Sequence, residues 1–163
     1  MVLSASNVGG TPSPVYDYKS LIDDLRSTGA SVEEHSSPTV DHPYKHDPTL
    51  SRVVLLGSGR RVSVNGKTIQ VYEYPDVLAA DTEAGFVSPD GYNISVPLGD
   101  GHYGTSHTEW IGQPHYYKKG RVIVLYVGPA FGGFLTGDDP PLVEVLQRVL
   151  GPEFAGSSFI HTR

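Results

Sequence analysis

The residues of this sequence that could do chemistry are histidines, carboxylates, serines and tyrosines, since cysteine does not occur. His35, His42 and His46 fall in one polar stretch, and His102 and His107 lie close together in another. Zinc requires three or four nitrogen, oxygen or sulfur ligands converging on one point. Asp41, Asp47, Asp100 and Glu109 could supplement the imidazoles, but these are loop histidines and nothing in their spacing forces convergence. Solvated histidines are the expected reading. His102, His107, His42 and His46 are the candidates if a metal binds.

Nucleophilic catalysis has less support. No G-x-S-x-G elbow occurs. Gly57-Ser58-Gly59 lacks the Lys-Ser/Thr and the helix that a phosphate loop needs. A dinucleotide fingerprint is missing as well. Asp23-Asp24, Glu33-Glu34 and Asp138-Asp139 are chain neighbours whose side chains diverge, which suits surface and capping roles better than paired acid–base work. No catalytic residue is assigned, and no cofactor is implied. A hydrolase with a non-standard site stays open as an alternative. It would need a deep polar pocket holding a histidine and a carboxylate within hydrogen-bond reach.

The elements that must position these residues follow from composition and pattern. A chain of 163 residues has the size of one ordinary domain and can fold without disulfides or metals. Its net charge is −6, and no run of Lys and Arg exceeds two, which argues against a nucleic-acid groove. No apolar run approaches the roughly 20 residues of a membrane span. Residues 1–10 lack the charged start and apolar centre of a signal peptide, so the expected compartment is cytoplasmic if Met1 is the native start. Residues 1–16 are small and polar and read as an N-terminal arm, residues 17–156 as a single domain, and residues 157–163 as a tail.

Within that domain, Asp17 caps a first helix whose Tyr18, Leu21, Ile22 and Leu25 form one stripe, closed by Gly29. Residues 30–34 read as a short strand. Asn65-Gly66 is the strongest local signal, a two-residue hairpin loop that pairs Val64 with Lys67 and Val62 with Ile69. Residues 76–87 predict a second helix. A second hairpin pairs residues 108–117 with 121–127 across Lys119-Gly120, and the strand through residues 122–127, apolar on both faces, belongs in the centre of the sheet. Asp139 and Pro140 open a last helix carrying Leu142, Val145, Leu146, Val149 and Leu150. The expected fold is α+β: an antiparallel sheet of four to five strands made of two hairpins, with about three helices on one face and a possible αββ duplication.

Four segments together resemble a known group: VNGKTIQVYEYP (64–75), VSPDG (87–91), WIGQPHYYKKGRVIVLYVG (110–128) and VLGPEFAG (149–156). In this order the chain is similar to a family of small, uncharacterised bacterial proteins often carried as envelope lipoproteins. The resemblance covers roughly residues 16–156 and implies a scaffold, with no assigned activity. It implies a cell-envelope or extracellular setting, although the lipid-bearing cysteine is missing here. Residues 92–104 and 129–137 are longer than the family pattern.

Those two long stretches enter and leave the second hairpin at the end opposite its turn, so topology brings them together. Between them they carry Tyr92, His102, Tyr103, Phe131, Phe134 and Leu135, the candidate partner-binding residues. Each large apolar side chain left in water forgoes about 2 kcal/mol, so a cluster of them either plugs the core or meets a partner. The expectation is a non-enzymatic binding or assembly protein that contacts another protein or its own copies. A metal- or small-ligand-binding envelope protein using the loop histidines is the alternative.

Overall fold

The computed structural model describes residues 14–35, 55–110, 112–128 and 140–156. Its elements, in chain order, are α1 (Tyr18–Ser27), β1 (Val32–Glu34), β2 (Ser58–Val64), β3 (Lys67–Glu73), α2 (Val77–Ala84), β4 (Asn93–Gly99), β5 (His102–His107), β6 (Pro114–Lys119), β7 (Val122–Val127), α3 (Pro140–Leu150) and β8 (Ala155–Gly156). The α+β class expected from the sequence is what the chain adopts.

Local chemistry explains most of these boundaries. Asp17 caps α1, its Oδ1 accepting the Ser20 N–H at 2.8 Å, and Tyr18, Leu21, Ile22 and Leu25 are buried. Asn65 and Gly66 both take positive φ, at 50° and 79°, and the predicted pairing of Val64 with Lys67 and Val62 with Ile69 is present. The second hairpin is shorter than expected. It begins at Pro114, and Lys119 pairs with Val122, so its loop residues are Gly120 and Arg121. Gly120 takes φ 56°, and a Cβ there would come 2.5 Å from the Tyr16 carbonyl oxygen. The close passage of Tyr16 therefore needs a glycine at the first loop position.

β1-β2-β3-β7-β6-β8 is the order of a six-stranded sheet, antiparallel throughout, and β4 and β5 form a separate two-stranded sheet. The main sheet exceeds the expected four to five strands because β1 and β8, three and two residues long, close its two edges. Such short edges offer little backbone for intermolecular pairing.

Helices cover both faces of this sheet rather than one. On one face α1 and α3 pack Leu21, Leu25, Leu142 and Leu146 against Val62, Ile69, Val71, Val122 and Val124. On the other, α2 and the β4–β5 hairpin pack Ala80 and Ile94 with Tyr72, Tyr116, Ile123 and Leu125. The reason lies in β7, which is central as predicted and apolar on alternate sides. Leaving either side wet would forgo roughly 1.5–3 kcal/mol for each large side chain.

Candidate functional site

The second face positions the site. Its anchor is Gly91, whose carbonyl accepts the Trp110 indole N–H at 2.8 Å and the Tyr116 hydroxyl at 3.3 Å. Gly91 takes φ 77°, and a Cβ there would lie 2.9 Å from the Tyr116 ring. Trp110 and Tyr116 meet edge to face with centroids 6.4 Å apart. These contacts hold the start of β4 and the end of the β5 segment against the sheet. An isolated two-stranded hairpin would otherwise be marginal in water.

Residues 92–104, expected as a long loop, therefore form most of this hairpin. Its turn residues Asp100 and Gly101 both take positive φ, at 50° and 76°. Asp-Gly between alternating apolar residues is the sequence signal that marks it, and Pro97 is what obscures that signal. A bulge at Leu98 shifts the register between Pro97 and Gly99. β4 is tied to the end of α2 by the Ser95 N–H donating to the Phe86 carbonyl at 2.8 Å and by the Val87–Ile94 bridge.

Between the hairpin and α2 lies an open cleft lined by Leu56, Glu83, Phe86, Ile94, Ser95, Val96 and Pro97, with a volume of about 60 Å³. Ligand pockets for whole small molecules run from roughly 300 to 1,000 Å³, so this cleft admits only a side-chain head. Among the described residues, Glu83 is the one charged residue in its lining. It is 7 % exposed, and its Oε1 accepts the Leu56 N–H at 2.8 Å. Burial raises the Glu83 carboxyl pKa, partly opposed by that N–H. No cation among the described residues pairs with it, and on the same helix Asp81 holds the Lys118 ammonium. Behind it, the Tyr74 hydroxyl is buried without a hydrogen bond of normal geometry. Burial first, then the Glu83 charge, push its pKa up. Perturbed titratable groups at a cleft are a mark of function.

Three large apolar side chains of the cleft and the hairpin are exposed. Leu56 is 62 % exposed, Leu98 70 % and Tyr103 59 %. Tyr103 packs on Phe86 with centroids 5.6 Å apart, Pro97 pairs across the ladder with Tyr103, and Leu98 lies over Gly104. Phe86 thus joins Tyr103 to the cleft lining, whereas Leu98, over Gly104, lies on the other face of the ladder from Tyr103.

Of the candidate partner-binding residues, Tyr103 is one of these three exposed side chains and His102 is exposed at the start of β5. Tyr92 is half-buried at the other end of the hairpin, stacked on His107 at 6.2 Å. Phe131, Phe134 and Leu135 lie outside the described residues, so the predicted meeting of the two long stretches is described on one side only. For the metal candidates, His102 and His107 stand an odd number of positions apart on one strand and so point to opposite faces. His107 Nδ1 sits 2.9 Å from Asn93 Oδ1. His42 and His46 lie outside the described residues. Among the described residues no three His, Asp or Glu side chains gather as a metal would require.

Two features escaped the sequence. Glu83 reads as an ordinary helix carboxylate, with nothing local to mark its burial. His115 and Glu153 form a buried pair, Nδ1 to Oε1 2.9 Å, both side chains 2 % exposed. Tyr117 donates to the same oxygen at 3.4 Å, and the His115 ring stacks on Tyr126 at 5.7 Å. Contact across 38 residues has no local signature.

No protein-family model matches the chain, and comparison with curated proteins and with solved structures found no match. Among the described residues, no helix is long and apolar enough to cross a membrane.

Proposed function

We propose that this is a non-enzymatic binding or assembly protein whose docking surface is the β4–β5 hairpin and the adjoining cleft beside α2. The observation that carries this reading is the exposure of three large apolar side chains, each more than half exposed: Leu56 in the cleft lining, Tyr103 packed on the lining residue Phe86, and Leu98 on the bulge of β4. Exposed apolar patches on soluble domains mark interaction sites, and an aromatic such as Tyr103 supplies much of the energy at such sites. The pinned base of the hairpin lowers the backbone ordering cost of presenting these side chains to a partner. Light scattering with size exclusion, on wild type and on Leu98→Ser/Tyr103→Ser, tests the reading. Self-association or retention of a purified partner by the wild type, lost in the variant, supports it. A wild type that stays monomeric and retains nothing overturns it.

A hydrolase with a non-standard site is the second reading, and one observation favours it. His115 and Glu153 make the histidine–carboxylate contact such a site requires, at 2.9 Å. Their burial weighs the other way, because a general base must reach its substrate. Ester or amide turnover abolished in His115→Gln, at unchanged stability, would promote this reading over the first.

A further inference from the structure

We infer that the cleft beside α2 is a socket for the ammonium group of a lysine side chain, presented by the protein segment that docks on the hairpin. The inference rests on the reading of that hairpin as a protein-binding surface and specifies the chemistry of its partner.

Glu83 combines three properties that rarely coincide. It is more than nine-tenths buried, it lines an open cleft, and no cation among the described residues balances it. A carboxylate taken out of water is costly unless it is paired, so proteins keep such groups neutral or give them a partner. Its desolvation-raised pKa is the signature of that missing partner. Two residues earlier on α2, Asp81 takes the Lys118 ammonium.

Size and shape select the ligand. By the roughly 10–15 Å³ a water-sized atom occupies in such a space, a cleft of about 60 Å³ admits four to six heavy atoms. That matches an ammonium with the end of its methylene stem. Oε1 is committed to the Leu56 N–H, which among the described residues leaves Oε2 as the open acceptor. A single open acceptor suits a compact ammonium, whereas the forked guanidinium of arginine is matched to both oxygens at once. The walls, Leu56, Phe86, Ile94, Val96 and Pro97, suit an aliphatic stem, as buried lysine stems lie along apolar surface. The chain's net charge of −6 favours approach by a basic segment.

Amide chemical-shift titration of the full chain with n-butylammonium, n-butanol and n-propylguanidinium tests this directly. The expected result is a saturable response centred on the Leu56 and Glu83 amides with n-butylammonium. It should be roughly ten- to hundredfold weaker with n-butanol and in Glu83→Gln, the range set by a charge-assisted hydrogen bond. Equal responses to the ammonium and the alcohol overturn the socket, as does an unchanged response in Glu83→Gln. A preference for the guanidinium overturns the lysine assignment. The wild-type comparison of probes stands even if the variant folds poorly. Failure here is separable from failure of the docking surface: a partner lost in Leu98→Ser/Tyr103→Ser but kept in Glu83→Gln leaves the surface standing without its socket.

Discussion

The Leu56 N–H donates to Oε1 of Glu83 at 2.8 Å across 27 residues of chain, tying the segment that leads into β2 to the last turn of α2. That bond places a carboxylate at the floor of an apolar cleft and satisfies one of its oxygens. What it leaves unsatisfied is the charge, and a pH effect on stability follows.

Glu83 has a raised folded pKa, so the folded state holds its proton to higher pH than the unfolded chain does. Stability attributable to this group is therefore greatest below the unfolded carboxylate value and declines as pH rises through the folded value. Tyr74, the other titratable group facing it, stays protonated throughout this window. Glu83→Gln should unfold at a higher temperature than wild type at neutral pH, and the difference should shrink on acidification. Thermal melts across pH 4–8 check this. A wild type more stable than the variant at neutral pH would mean the carboxylate has a counter-charge.

Asp17 behaves in the opposite sense. The Ser20 backbone N–H, then its hydroxyl, hold the Asp17 carboxyl below the ordinary range, with a smaller contribution from Arg121. Its stabilisation is present above the unfolded value and is lost as pH falls through the folded one. Asp17→Ala should cost about 0.5–2 kcal/mol in urea unfolding at neutral pH, as loss of an N-cap does, and less in acid.

Gly91→Ala tests the anchor of the hairpin. An alanine would have to hold φ 77° and would meet the Tyr116 ring at 2.9 Å. The left-handed backbone costs roughly 1–2 kcal/mol and overpacking roughly 1–3 more. Chemical denaturation should show at least about 2 kcal/mol of loss. Amide exchange should be fastest in β4 and β5, which depend on the Gly91 carbonyl for their attachment.

His115 and Glu153 should be strongly coupled. Removing the imidazole takes one buried partner from Glu153 and opens a cavity beside Tyr126, so His115→Ala should cost at least about 2 kcal/mol. His115→Phe/Glu153→Leu should cost less than the sum of the two single changes to the same residues, because replacing both members removes the hydrogen bond that each single change breaks. A double-mutant cycle by denaturant unfolding measures this, and strict additivity would mean the pair does not interact.

Ile123 and Leu98 separate stability from binding. Ile123 is fully buried in the central strand, and Ile123→Ala should cost about 2–5 kcal/mol. Leu98→Ser, on an exposed bulge residue, should change stability by no more than about 0.5 kcal/mol while weakening association. A large loss of stability in Leu98→Ser would mark Leu98 as part of the core.

Short-range chemistry made much of this protein readable from its residues. Asp17 and Asn65-Gly66 carry their structural instruction within a few positions, because a cap or a tight turn is a contact between near neighbours. The double-sided apolar run from Val122 to Val127 likewise announced a central strand. A strand apolar on both sides needs cover on both, and α2 with the β4–β5 hairpin provides the second. Asp100-Gly101 also marked that hairpin, against the contrary signal of Pro97. The site was not legible. Whether a glutamate on α2 lies in water or beneath Leu56 depends on where residues distant in the chain come to rest. Desolvation, the approach of His115 to Glu153 and the exposure of apolar side chains are long-range properties that only the packed chain decides.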